Sequence, residues 1–151
     1  MDWKCIARHH RNPPTGIIPR ERTTQDAYEA HLAAVRASGL TITEFITSTM
    51  VRPCSVSPNV MPKPCGLQAC DWLFCANQFP YEFADGTQHW LLWVRSSHEA
   101  LLADPTSVLA KCGVCECVWY ENLPENRSVK GVRHIHVFTK PGAEGISSRT
   151  G

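Results

Sequence analysis

Two imidazoles stand at alternate positions in Arg133-His134-Ile135-His136-Val137-Phe138. In a stretch this rich in β-branched and aromatic residues the chain extends, and successive side chains alternate between faces. His134 and His136 then share one face, about 6.5–7 Å apart along the strand, while Ile135 and Val137 take the other. Imidazoles so placed can converge on one ligand, either as an acid–base pair or as metal ligands. A polar loop, Glu121-Asn122-Leu123-Pro124-Glu125-Asn126-Arg127-Ser128, precedes this strand. Its Arg127 and Asn122 supply donors suited to phosphate or carboxylate. His89 can add a third ring nitrogen from a neighbouring strand, and Tyr81 and Trp93 an aromatic wall.

Two chemistries fit these residue types. In the first, His134 and His136 exchange protons at a phosphate ester while Arg127 stabilises the developing negative charge. In the second, His89, His134 and His136 hold a metal ion that activates water. Neither has a dedicated carboxylate at matching spacing: Glu82, Asp85 and Glu121 are near in sequence only. The purely structural alternative is that His89 packs against a tryptophan and one of the paired histidines bonds a loop carbonyl.

The cysteines pose a separate question. Cys112-x-x-Cys115 has zinc-knuckle spacing, and Cys65 and Cys70 lie upstream of the first strand. Four thiolates from Cys65, Cys70, Cys112 and Cys115 would staple a long loop to the sheet through zinc. Against this stands the reading of Cys75 and Cys117 as small buried hydrophobes and of the others as loop thiols.

Positioning these groups requires a scaffold, and its elements are legible. Thr23 or Thr24 caps a helix running to about Ser38, with an apolar stripe through Tyr28, Leu32 and Val35 and Gly39 as its stop. A shorter helix starts at Thr41 or Thr43 and runs to about Met50. Residues 52–64 carry Pro53, Pro58, Pro62 and Pro64, which exclude regular structure. Strands follow at Trp72–Cys75 and Gln88–Val94, then helical turns through 97–102 and 106–111, then strands at Cys115–Glu121 and Val132–Thr139. This order predicts an α+β fold: an N-terminal helical pair packed on one face of a four-stranded, mainly antiparallel sheet. Ile135 and Val137 are expected on the helix-covered side with Trp90 and Leu92, leaving His89, His134 and His136 opposite. Trp90, Trp93 and Trp119 read as packing residues and not as a base-stacking platform. His31 and His98, on predicted helices, read as surface or boundary residues.

At 151 residues the chain can bury one core without staples, here across 23–139, with 1–22 as an irregular basic arm and 140–151 as a flexible tail. A net charge of +1 supplies no general pull toward nucleic acid. The exception is the arm, where Lys4, Arg8, Arg11, Arg20 and Arg22 outnumber Asp2 and Glu21 and could hold phosphates. No apolar run is long enough to span a membrane, and the opening residues lack the apolar centre of a secretory signal. An intracellular, cytoplasmic setting with reduced cysteines follows as an expectation.

Four blocks carry a family resemblance: Asn77-Gln78-Phe79-Pro80-Tyr81, His89-Trp90-Leu91-Leu92-Trp93, Val118-Trp119-Tyr120-Glu121-Asn122, and Arg127-Ser128-Val129 with His134-Ile135-His136-Val137. In order and spacing they resemble the fungal N-acetylglucosamine-induced protein family, a domain of unknown function also found in large DNA viruses. The likeness covers about residues 72–139, with an echo in the helices of 23–50. Gln78 stands where that family usually has Asp, and Arg127 where it often has Lys. The resemblance implies no established activity or cofactor; for a viral member the setting would be host cytoplasm or virion. The expectation is a pocket protein that binds a small anionic or phosphate-bearing ligand at the His-x-His strand, with hydrolysis as one outcome. The alternative is a noncatalytic, virus-associated accessory protein, with or without a structural zinc.

Overall fold

The computed structural model describes residues 1–47 and 70–151. Its elements in chain order are α1 (Trp3–Ala7), α2 (Arg22–Ala37), α3 (Ile42–Phe45), β1 (Trp72–Ala76), β2 (Gln88–Val94), a 3-10 segment (Ser96–Leu102), α4 (Thr106–Lys111), β3 (Cys117–Tyr120), β4 (Arg133–Thr139) and β5 (Arg149–Thr150). The fold is α+β. Among the described residues the sheet has five strands in the order β3-β4-β2-β1-β5, and every pairing is antiparallel.

The helices begin and end where local chemistry dictates. α2 stops at Gly39, whose φ of +80° lets the backbone turn out of the helix. α3 opens on a capping box: the Thr41 hydroxyl accepts from the Glu44 amide at 3.1 Å, and the Glu44 carboxylate accepts from the Thr41 amide at 2.7 Å. The expected continuation of this second helix to Met50 runs past residue 47, outside the described residues. No helix among the described residues is long and apolar enough to cross a membrane.

Register decides which side chains share a face. β2 pairs with β4 so that His89 lies opposite Phe138, Leu91 opposite His136 and Trp93 opposite His134. The three histidines therefore do share one face, with Trp90, Leu92, Val94, Ile135 and Val137 on the other. The expected distribution of helices is corrected. Strands apolar on both faces must be covered on both, and two different sets of elements do this. Leu102, Val108 and Leu109, from the 3-10 segment and α4, pack against Leu92, Val94, Ile135 and Val137. The N-terminal helical pair covers the histidine face instead, with Ile42, Phe45 and Ile46 against Leu73, Leu91, Trp93 and Val132.

Both chain ends are more tightly held than the sequence suggests. The basic arm contains α1, capped by Asp2, whose carboxylate accepts from the Cys5 amide at 2.9 Å. Its Ile6 is fully buried against Tyr120 and Phe138, which ties the arm to the sheet edge. Residues 140–151, expected as a tail, return as β5 beside β1. Ile146 packs on the core, and Gly151 exchanges backbone hydrogen bonds with Trp72. The physical reason is an open edge at β1, whose free amides and carbonyls need partners.

Candidate functional site

The face of β2 and β4 that carries the histidines is roofed by α2 and α3, and two neighbouring hollows lie between. The inner one, about 80 Å³, has Leu91, Trp93, His134 and His136 as its floor and Tyr28, His31, Leu32, Ile42, Phe45 and Ile46 as its roof. The outer one, about 250 Å³, runs beneath the arm at Pro14, Gly16, Ile17 and Ile18 and is walled by Tyr81, Asn122 and Asn126. Arg20, Tyr28, Ser128 and His136 border both.

The imidazoles form an ordered chain of hydrogen bonds whose direction is fixed by a backbone donor. The Tyr81 amide N–H donates to His89 Nδ1 at 3.2 Å, so Nδ1 is the acceptor nitrogen and Nε2 carries the proton. His89 Nε2 lies 2.9 Å from His136 Nδ1, which must then accept, leaving the His136 proton on Nε2. That nitrogen lies 2.9 Å from the Asn122 amide; an N–H there requires the amide oxygen of Asn122 to face it, a choice of orientation that the network decides. Asn77 rests side-on against the His89 ring, 3.3 Å from both nitrogens, while its oxygen accepts from the Phe79 amide at 3.0 Å.

All three rings are held neutral. Burial drives the pKa of His89 and of His136 well below the ordinary histidine value, and the Arg20 charge acts in the same direction on both. Burial lowers His134 to about 4. Its Nδ1 makes a long 3.5 Å bond to the Val132 carbonyl. Since a carbonyl only accepts, the proton sits on Nδ1 and Nε2 presents a lone pair. Tyr81 is raised by burial, and Tyr120, buried next to it, is raised for the same reason.

These placements test the sequence expectations residue by residue. His134, His136, Asn122, Tyr81 and Trp93 border the hollows, while His89 lines neither and is joined to them through its 2.9 Å bond to His136. Arg127 borders neither. Its Nε donates to the Asn122 carbonyl at 2.9 Å and its Nη2 pairs with Glu121 at 3.2 Å, so its charge is spent on the loop. Arg133 grips the same carboxylate through Nε at 2.9 Å and Nη2 at 2.6 Å, and Glu99 through Nη1 at 2.8 Å. Burial opposes ionisation of Glu121, but Arg133 and Arg127 together keep it below the usual carboxylate range. The clamp holds Asn122 against His136, which makes Arg127 a positioning residue.

The cation at the hollows is Arg20. Its Nε donates to the Phe79 carbonyl at 2.9 Å, and its guanidinium lies over Tyr28 and Tyr81 at 4.6 and 5.4 Å from the ring centres. No carboxylate pairs with it among the described residues. The sequence places Arg20 in the arm without showing its reach, and shows Asn77 only as part of a family-like block. The neighbouring Pro19, which extends the chain just before α2, was the available signal. His31, expected at the surface or a boundary, is half-buried; it packs edge-on against Phe45 with ring centres 5.1 Å apart and lines the inner hollow. His98 sits at the surface beside Asp71 at 3.4 Å.

Neither metal arrangement assembles among the described residues. In the histidine version, both nitrogens of His89 and of His136 already serve the hydrogen-bond chain. In the cysteine version, Cys65 lies outside the described residues, and the other three are separated. Cys70 belongs to the core on the histidine face and Cys112 to the core on the opposite face, while Cys115 is exposed. No carboxylate hydrogen-bonds any of the three imidazoles among the described residues. Asp85 instead binds the Trp3 amide at 2.7 Å and the Thr87 hydroxyl at 2.7 Å, which draws its carboxyl below the usual range.

A family model described as a protein of unknown function, DUF3605, matches residues 2–105. The chain belongs to this family. The matched span takes in the arm, the roof helices and β1 and β2, with Arg20, Asn77, Tyr81 and His89; β4 and its histidines lie beyond it. No curated protein matches the chain. A solved structure described as the crystal structure of HTC1 resembles it with a TM-score of 0.50 at 22% identity, over 86% of this chain and 79% of that one. At that identity the likeness speaks for the fold alone.

Proposed function

We propose that this protein binds a small anionic ligand, with its negative group at Arg20 and its body against the neutral imidazoles of β4. One observation carries the reading: a guanidinium with no carboxylate partner among the described residues stands at the shared border of two hollows. A cation flanked by apolar and aromatic walls gains more from an anion than one in open water, because the local dielectric is lower. The surrounding groups favour recognition over hydrolysis. An imidazole with a pKa of about 4 is a poor base at neutral pH, and His136 has no nitrogen free to move a proton.

The finer placement, next to the fungal N-acetylglucosamine-induced proteins, belongs to the same proposal. Each of the blocks that carry that resemblance sends residues to the hollows, among them Phe79, Trp93, Asn122, Ser128 and His136. An intracellular setting belongs to it too, and suits the free thiols of Cys5, Cys70, Cys112, Cys115 and Cys117. The accessory-protein reading expects a broad exposed apolar patch. Among the described residues only Ile17 and Leu40 are large hydrophobics left exposed, which supports the pocket reading.

Titration of the protein with inorganic phosphate, followed by two-dimensional NMR, tests the proposal. Binding should shift the Tyr28, Tyr81 and Ser128 amides and weaken with salt. Arg20→Met should reduce affinity about tenfold, and Arg20→Lys should restore part of it. Equal affinity in wild type and Arg20→Met refutes the anion site.

A further inference from the structure

The outer hollow is crossed by a stretch of the arm that is pinned firmly at both ends and loosely between them. At the upstream end the Arg11 amide donates to the Trp119 carbonyl at 2.8 Å, and the Arg11 guanidinium lies 5.3 Å from the centre of the Trp119 ring. The fully buried Ile6 holds α1 behind it. At the downstream end Arg20 is fixed by the Phe79 carbonyl and by the rings of Tyr28 and Tyr81. Residues 13–19 in between form neither helix nor strand. Two hydrogen bonds tie them to the rest of the described chain: Asn126 Nδ2 donates to the Thr15 carbonyl and the Glu82 amide to the Pro19 carbonyl, each at 3.4 Å. Both are longer than the usual range of about 2.7–3.2 Å. Ile18 packs on the cluster of Ile6 and Phe138, but Ile17 is 83% exposed at the rim of the hollow. Nothing lies within 4 Å of where a β-carbon on Gly16 would stand.

We infer that residues 13–19 are a strap that closes over a ligand bound at Arg20 and lays Ile17 on its body. This deepens the proposed function and rests on its premise of an anion at Arg20. That residue serves twice, as the cation for the ligand and as the downstream pin of the strap, so the ligand's charge and the strap meet at one side chain. Proline fixes φ at Pro13, Pro14 and Pro19, which confines the closing movement to residues 15–18, with Gly16 as the freest pivot. Arg11, at φ +60°, marks the upstream hinge: a residue with a β-carbon holds that conformation at a cost, which its amide bond to Trp119 offsets. The drive to close is apolar. Ile17 forgoes burial in the open form and gains it when a ligand body supplies the missing surface. Closure also selects a class of ligand. The strap offers Pro14, Ile17 and Ile18, and the opposite wall Asn122 and Asn126, so the body that fits presents an apolar face to the strap. An inorganic anion has no such face and leaves the strap open.

Amide hydrogen exchange in the full chain tests this, with inorganic phosphate and phenylphosphonate as probes. In the free protein the Gly16 and Ile17 amides should exchange nearly as fast as in an open chain. Saturating phenylphosphonate should slow them about tenfold, and saturating phosphate should not. Ile17→Ala, at an exposed position, should weaken phenylphosphonate about fourfold or more, the worth of one newly buried methylene, and leave phosphate affinity unchanged. Arg20→Met should weaken both probes about tenfold. Gly16 and Ile17 amides unmoved by saturating phenylphosphonate, or wild-type phenylphosphonate affinity in Ile17→Ala, overturn the inference. Phosphate binding that depends on Arg20, with phenylphosphonate unbound or the strap amides unprotected, refutes the strap and leaves the anion site standing. Failure of both probes to bind refutes the anion site, and the strap with it.

Discussion

Acid should unfold this protein at an unusually mild pH, because the site is built from imidazoles held uncharged. Taking His134 from 6.5 when unfolded to about 4 when folded means that the unfolded chain binds more protons between those values. The stability of the neutral ring is therefore complete above about pH 7 and is lost as pH falls through 6.5 toward 4. The linkage relation puts the loss from His134 alone at about 2 kcal/mol by pH 5 and about 3 kcal/mol by pH 4. His89 and His136 are shifted in the same direction by the same burial. Each steepens the fall, up to a ceiling of about 1.4 kcal/mol per pH unit per proton. Three such rings together remove up to about 6 kcal/mol by pH 5. That is most of the stability of a chain at the lower end of the typical range of about 5–15 kcal/mol. Glu121 does not confuse the window, since its carboxyl is held below the usual range and titrates at still lower pH. Urea unfolding followed by circular dichroism from pH 7.5 to 5 gives the slope directly. His134→Asn retains a donor for the Val132 carbonyl but does not titrate, and should flatten the curve by about 2 kcal/mol over that range. A wild-type free energy that varies by less than about 1 kcal/mol from pH 7.5 to 5, where the linkage relation demands more, refutes the assignment of neutral buried rings.

Two further predictions concern the scaffold. A methyl group at Gly131 would overlap the Thr43 side chain, with Oγ1 only 2.7 Å away. Gly131→Ala should therefore cost about 1–3 kcal/mol, and Thr43→Ala in the same chain should restore most of it by removing the overlapping atoms, as a double-mutant cycle in urea will read. Removal of residues 146–151 strips Ile146 from the core and β5 from the edge of β1. It should cost about 2 kcal/mol or more and expose Trp72, detected as a red shift and stronger quenching of tryptophan fluorescence; an unchanged urea midpoint contradicts the packed end.

The central elements, from α2 to β4, and the faces of β2 and β4 were legible in the residues alone, whereas α1 and β5 at the two ends were not. Alternation along His89–Val94 and Arg133–Phe138 put three imidazoles on one side of the sheet, because the side-chain period of a strand is two whatever packs against it. Thr41 or Thr43 announced the start of α3, of which the structure uses Thr41 with Glu44, and Gly39 announced the end of α2, through local hydrogen bonding and backbone freedom. Tertiary structure alone decided what those faces meet. Arg127 opens the family-like block Arg127-Ser128-Val129 and carries the right charge, yet Glu121 takes it; Arg20, more than a hundred residues from β4, reaches the hollows because α2 folds over them. The protonation of the rings was equally out of reach, since one backbone amide, that of Tyr81, orients the chain from His89 to Asn122. Cys70 and Cys112 show the same limit: spacing suggested one zinc site, and the sheet between them placed them in separate cores. Local pattern is set by covalent geometry and propensity. Charge partners, burial and tautomers depend on distances between segments that only the packed fold defines.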